Sequence, residues 1–359
     1  MATKMETLRI IDADTHVDET DATWEYMTPE EQGFKPTKGS APDLDPARPP
    51  FPYWLIDGHK ERRSARSDAK SKTTVETREL LDVEARLRHM DELGTEIQVI
   101  YPTLFISDPA VRPEVEMALT RSYNRWLADR CALSKGRLRW ICIPPLKTVD
   151  KAVEELRWAK DHGACGVSKK GDQEAGHYAA EDYFFPLYEE AERLDLPICF
   201  HTGTGAALER RWLRAAAPTF LRSKATAITG IHSFLERGIP ARFPKLRTGC
   251  IEASASWLPF VEHTIRRAEE KHTPRQVPPK DIFTMNRIYV ACQMDENLPL
   301  VFQYISEDNL LVGSDYCHED PSQEHGFIIP LQQAADRGEI PDSAVRKIVY
   351  DNPKTFYAL

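Results

Sequence analysis

The sequence predicts an α/β fold, a (β/α)8 TIM barrel with one long insertion after its first strand, and three observations lead there. Short β-branched runs alternate with helix-length amphipathic stretches almost from end to end. Several of the strand runs are nearly continuous in apolar residues, as parallel strands covered by helices require. Eight strand–helix units follow one another, the sequence of a barrel. A doubly wound sheet, the rival arrangement, wants a glycine-rich turn after its first strand, and Ala13–Val17 contains no glycine.

In chain order the strand runs are Thr7–His16, Ile97–Thr103, Leu138–Pro144, Gly166–Lys170, Pro197–His201, Leu246–Glu252, Ile288–Gln293 and Leu310–Asp315. The helical stretches are Asp82–Leu93, Pro113–Leu133, Val149–His162, Ala180–Leu194, a loop-plus-helix region Trp212–Arg237, Trp257–Lys271 and Asn297–Ser306, with Glu324–Arg337 and Asp342–Thr355 finishing the chain. Two segments interrupt this alternation. Residues 19–77 are rich in proline (Pro29, Pro36, Pro42, Pro46, Pro49, Pro50, Pro52) and carry Trp24, Phe34, Phe51, Tyr53 and Trp54. A loop this long is usually functional or disordered, and its aromatics favour an ordered lid over the barrel mouth. Thr273–Asp281 is a second loop, after the sixth strand. At roughly 150 residues per domain the length suggests two domains, but barrels use this much chain as one; residues 1–359 read as a single barrel domain.

Composition removes several function classes. The 359 residues are 41% hydrophobic and 29% charged, too apolar and mixed for disorder, and carry a net charge of −9 with no basic run of five. A nucleic-acid or membrane-surface protein would show a basic patch. The first nine residues are charged where a secretion signal needs an apolar core, and no stretch approaches about 18 apolar residues. The expectation is a soluble, cytoplasmic protein. Its seven cysteines are scattered singly, mostly in apolar runs, which suits buried reduced thiols.

In a barrel, side chains at the C-terminal strand ends converge on one mouth. The first strand ends Asp12-Ala13-Asp14-Thr15-His16, with Asp14 and His16 on one face. The fifth ends at His201, the sixth at Glu252, and the eighth runs Gly313-Ser314-Asp315-Tyr316-Cys317-His318. Four strands thus finish on metal-competent residues. Imidazole with carboxylate is a ligand set for Zn, Fe or Mn. Taken singly each residue has a structural reading: a core histidine, an aspartate capping a helix, or Asp12 bonded to a neighbouring strand.

These residues resemble the amidohydrolase superfamily. The resemblance rests on Asp14-Thr15-His16, His201 before Thr-Gly, Arg242–Leu246, Gly313–Tyr316, Met90–Gly94 and Asp351-Asn352-Pro353. The nearest branch holds aminocarboxymuconate-semialdehyde decarboxylase, resorcylate-type decarboxylases and assorted hydrolases. Two departures stand out: Asp14 replaces the first histidine of His-x-His, and Glu252 stands where the sixth strand commonly has histidine. A few members with similar substitutions resemble diiron thioester- or thioacid-cleaving enzymes of platensimycin-type antibiotic biosynthesis, a secondary metabolism.

The resemblance implies a metal-dependent hydrolase, with water activated by a divalent transition metal (Fe, Zn or Mn) and two ions favoured because an added carboxylate can bridge a second cation. Asp14, His16 and His201 would hold the first ion, Glu252 would bridge, His232 would bind the second, and Asp315 would ligate and move the proton. His318 is a further ligand or substrate contact. Of the strand-4 pair Lys169-Lys170, a carbamylated bridge is weighed against the stronger reading, one lysine on a substrate carboxylate or neighbouring acid and the other solvated. His177 contacts substrate or lies on a surface loop, and Tyr101 and Trp257 wall an apolar pocket or pack in the core. The partner is a small carboxylic-acid derivative (thioester, thioacid, ester or amide), and relatives imply a homodimer. Two alternatives remain: a non-oxidative decarboxylase of an aromatic or unsaturated acid, and a metal-free binding protein on a degenerate barrel.

Overall fold

All eight expected strands form one parallel sheet in a computed structural model that describes residues 8–42, 49–203, 220, 223–271 and 281–359. They are β1 (Ile11–Val17), β5 (Ile97–Pro102), β6 (Leu138–Cys142), β7 (Ala164–Lys169), β8 (Ile198–His201), β9 (Thr248–Ile251), β10 (Ile288–Ala291) and β11 (Leu310–Leu311). Each pairs with its neighbour in chain order, and the ends meet: Ala13 N donates to Val312 O (3.1 Å) and Asp315 N to Asp14 O (3.0 Å). That contact closes the barrel. It requires Gly313, where a Cβ would stand 2.3 Å from Asp14 Cβ.

Helices cover the outside, including Val83–Glu92, Pro113–Ala132, Val149–Asp161, Phe185–Arg193, Lys224–Glu236 and Leu258–Glu270. The strands are buried on both faces, which is why they read as apolar runs. All seven cysteines are buried and free. Among the described residues no helix is long and apolar enough to cross a membrane.

The 19–77 segment contains a three-stranded antiparallel sheet where the sequence suggested a loop: β2 (Thr37–Ala41), β3 (Phe51–Ile56) and β4 (His59–Arg62). Pro36, Pro42, Pro49 and Pro50 flank its strands, Pro52 is the second residue of β3, and Pro29 opens a short 3-10 helix, positions where a missing N–H is tolerated. The β3–β4 hairpin turns on Asp57-Gly58, both at positive φ, as a two-residue turn of this hand demands. Buried Trp24 and Trp54 pack edge to face at 5.9 Å, and Trp24 also meets Phe105 of the β5 loop. Residues 1–7, most of the loop before Lys224, and residues 272–280, which hold most of the second expected loop, lie outside the described residues.

Candidate metal centre

The strand ends bring Asp14, His16, His201, Glu252, Asp315 and His318 into one cluster. Two overlapping donor sets arise, Asp14–His16–His201–Glu252 and His16–Glu252–Asp315–His318, with the ligand atoms of each set within 4.8 Å of one another. Local backbone shape aims them. β1 gains one residue against β5 between Asp12 and Thr15, a bulge that re-aims side chains at the rim. Glu252 and Asp315 both take a left-handed backbone, φ 58° and 51°, uncommon for residues with a Cβ and concentrated at functional sites.

Nitrogen and oxygen donors are spaced as ligands of one ion would be. His16 Nε2 lies 3.4 Å from Asp14 Oδ1 and 3.3 Å from Asp315 Oδ1; His201 Nε2 lies 3.4 Å from both Asp14 Oδ1 and Glu252 Oε2. Ligands about 2.1 Å from a shared ion, at tetrahedral to octahedral angles, stand about 3.0–3.4 Å apart. Each imidazole is already fixed through its other nitrogen. His16 Nδ1 bonds to Pro102 O at 2.8 Å and His201 Nδ1 to Thr202 O at 3.0 Å. A carbonyl only accepts, so each Nδ1 carries the proton and each Nε2 presents a lone pair. Asp14 Oδ1, His16 Nε2, His201 Nε2 and both Asp315 oxygens are buried without a hydrogen-bond partner. Groups this dry are costly unless something satisfies them. The donor set fits a divalent cation.

Burial and charge oppose each other here. Burial raises Asp14, but the imidazoles of His201 and His16 outweigh it and hold the carboxyl below its ordinary range. Burial lowers His201, yet Asp14 and Glu252 leave it raised. Glu252 is raised by burial against the opposing field of His201. Asp315 goes well up because burial adds to the fields of Glu252, Asp320 and Asp14. His318 goes well down through burial and the neighbouring His16, Arg66 and His201. His318 Nδ1 lies 2.7 Å from Asp315 Oδ1 without the alignment of a directed hydrogen bond, and its Nε2 is 3.0 Å from Thr103 Oγ1.

Several expectations need correction. His232 sits half-buried on the helix Lys224–Glu236 and joins neither donor set. Gly230 is the position that packs on Phe200, and two residues further a helix has turned about 200° away from the barrel. Lys170 is buried rather than solvated. Lys169 pairs with Glu174 at 2.6 Å and holds its amine over Phe184, as the reading that gave one lysine a neighbouring acid implies. His177 bonds Glu181 at 2.8 Å and stacks on Tyr183, away from the cluster. Trp257 donates to Ser254 O and packs edge to face with Phe283, in the core. Tyr101 is fully buried against His201, with its hydroxyl 2.8 Å from that of Tyr357, so it backs the imidazole from below. Asp12, read as bonding a neighbouring strand, accepts from Ser314 N and Oγ.

Sequence reasoning missed the outer support. Thr202 Oγ1 donates to Glu252 Oε2 at 2.6 Å, Lys224 Nζ bonds Glu252 O at 3.2 Å, and Arg66 holds Asp18. Fully buried Arg86 bonds His16 O, Thr77 O and Gln98 Oε1 and lies 3.5 Å over the Tyr316 ring. An arginine inside an otherwise amphipathic helix was the one available signal.

A family model described as amidohydrolase matches residues 11–359. A gamma-resorcylate decarboxylase from Rhizobium sp. (strain MTP-10005) is 30% identical over 220 residues, 56% of this chain; the match spans 63% of that relative's length. The crystal structure of an amidohydrolase from Mycobacterium avium subsp. paratuberculosis K-10 superposes with a TM-score of 0.74 at 18% identity, covering 98% of this chain and 99% of that one. A 5-carboxyvanillate decarboxylase from Novosphingobium aromaticivorans DSM 12444, complexed with manganese and 4-hydroxy-3-methoxy-5-nitrobenzoic acid, superposes with a TM-score of 0.67 at 16% identity, covering 99% of this chain and 97% of that one. At these identities the structural likeness establishes the fold.

Proposed function

Because the chain belongs to the amidohydrolase family, we propose that it is a metal-dependent, non-oxidative decarboxylase of an aromatic or unsaturated carboxylic acid. The sequence alone favoured hydrolysis, since Glu252 replaces a histidine suited to proton handling. The decarboxylase relatives support the other reading. So does the position of Asp315, the observation that carries it: a buried carboxyl beside the donor set, neither oxygen in a directed hydrogen bond, with His318 Nδ1 2.7 Å away. Decarboxylation needs a proton delivered to carbon, and Asp315 is the carboxyl placed to deliver it.

Asp14, His16, His201 and Glu252 would hold one divalent ion, manganese by analogy with the solved 5-carboxyvanillate decarboxylase; when bound it polarises the substrate carboxylate and an adjacent oxygen. One ion suits the cluster because His16 has only Nε2 to offer, so both donor sets cannot be filled through it. Asp315 Oδ protonates the carbon that bears the carboxylate. The carbon–carbon bond then breaks, CO2 leaves, and its bonding pair returns to the ring or double bond. The carboxylate of Asp315 regains its proton from solvent, with His318 Nδ1 beside it. Thr202 keeps Glu252 in place, and Tyr101 excludes water beneath His201.

Carboxyl-labelled hydroxybenzoates and unsaturated acids, assayed beside a panel of thioesters and esters with the manganese-loaded protein, test the reading. The expected result is labelled CO2 from an acid with no thiol or alcohol released. Turnover of a thioester or ester without CO2 release from any acid overturns it.

A further inference from the structure

Glu19 opens the inserted segment just past β1 and is 6% exposed. Its neighbour Asp18 takes Arg66, while among the described residues Glu19 has no ion-pair partner. Its carboxyl goes to backbone instead. One oxygen, Oε1, accepts from Thr103 N at 3.0 Å and the other, Oε2, from Leu104 N at 2.9 Å, where a short 3-10 turn starts after β5. Burial pushes this carboxyl up to about 8 and the two N–H groups pull it back. Charged or neutral, both oxygens keep a lone pair for an N–H. A carboxyl held in the interior is costly unless hydrogen-bonded, and these are the bonds Glu19 makes to other residues.

The turn it holds is the one that aims two imidazoles. Pro102 O takes His16 Nδ1 at 2.8 Å, and Thr103 Oγ1 lies 3.0 Å from His318 Nε2. Those two rings stack with centroids 3.8 Å apart and planes inclined by 21°. Consecutive residues of one turn thus fix both members of the stack. The turn also packs on the loop of the third imidazole: at Gly203, two residues past His201, a Cβ would stand 2.0 Å from Ile106 O. Trp24 of the inserted segment meets Phe105 within it at 6.3 Å. His16 Nε2, 3.4 Å from Asp14 Oδ1 and 3.3 Å from Asp315 Oδ1, therefore moves with the Pro102 carbonyl.

We infer that Glu19 is a positioning residue of the metal centre: its carboxyl clamps Thr103 and Leu104, so that Pro102 O and Thr103 Oγ1 keep His16 and His318 oriented for a divalent ion. The inference rests on the cation site at Asp14, His16, His201 and Glu252 and not on the reaction carried out there. It makes the inserted segment part of the support of the centre.

Calorimetric titration of manganese into chelated, dialysed wild type and Glu19→Gln tests it. Glutamine is nearly the same size, but its Nε2 donates and would face one of the two N–H groups instead of accepting from it. Loss of the partner behind a ligating imidazole costs about 10- to 100-fold in metal affinity, and for a residue one bond further out the expected loss is about 10-fold. The visible absorption bands of the cobalt-loaded protein, which follow ligand geometry, shift in the same variant. A role confined to folding lowers the melting point of the metal-free protein and leaves both the manganese dissociation constant and the cobalt bands where they are. A change of less than about 3-fold in that constant, or unshifted bands, overturns the inference. Should Glu19→Gln fail to fold, Glu19→Asp, one methylene short of reaching both N–H groups, is read the same way. The failures are distinguishable. A wild type that binds neither ion refutes the cation site, binding that is indifferent to Glu19 refutes only the clamp, and CO2 release from an acid is scored separately.

Discussion

Replacing His201 with alanine in a protein melted with and without manganese isolates the ion from every other contribution of the cluster. At a free manganese concentration 100 times its dissociation constant, binding to the folded state alone adds about 2.7 kcal/mol. An unfolding entropy of about 2.1 cal/mol/K per residue gives 359 residues about 0.75 kcal/mol/K. The melting point of the wild type therefore rises by about 3–4 °C. His201 Nε2 is one of the atoms 3.4 Å from Asp14 Oδ1 and Glu252 Oε2, and its loss deletes a ligand outright. A 100-fold weaker site leaves a stabilisation of about 0.4 kcal/mol at the same concentration, an increment near 0.5 °C. The metal-free variant also melts lower, through lost packing on Tyr101, but the assay reads the difference that manganese makes in each protein. His177→Ala, at a residue tied to Glu181 outside the cluster, keeps the full increment. Differential scanning calorimetry after chelation and dialysis gives both numbers. A His201→Ala increment equal to that of the wild type would refute the cluster as a cation site.

Other perturbations have outcomes set by the same structure. His325 is pushed down to about 4, chiefly by burial, so the unfolded chain binds its proton first as pH falls; stability is then lost between about pH 6.5 and 4. In His325→Phe, which keeps the stack on Tyr316, the urea unfolding free energies at pH 7 and 4.5 differ less than in the wild type, by up to about 3 kcal/mol. An equal pH dependence counts against the assignment. Arg86→Ala leaves Gln98 and two carbonyls without their donor in the interior and costs about 3–5 kcal/mol by urea unfolding. Lys169→Met strands Glu174 in the core and costs a similar amount, measured the same way. Trp54→Ala removes the edge-to-face partner of Trp24 and about 3–5 kcal/mol of packing, borne locally, so limited trypsin digestion at Arg62 and Arg63 accelerates before global unfolding changes.

The barrel was legible because burial on both faces imposes apolar runs that survive in the one-dimensional text; each of the eight strands was located, with ends displaced by a few residues. Asp14, His16, His201, Glu252 and Asp315 were legible for a related reason, since barrel topology sends every strand's C-terminal end to the same mouth. His232 was misplaced because a position on a helix does not reveal which way that helix faces. The small sheet within 19–77 was hidden by prolines that read as loop, although they fall at the ends of its strands or at the start of β3. The sequence by itself determined the alternation of elements and the donor types waiting at their ends. Only the tertiary structure decided which donors share an atom-scale neighbourhood, that His16 is spent on Pro102 at one nitrogen, and that Lys169 Nζ is the amine that takes Glu174. Distance, burial and hydrogen-bond direction belong to residues far apart in the chain, and no local pattern encodes them.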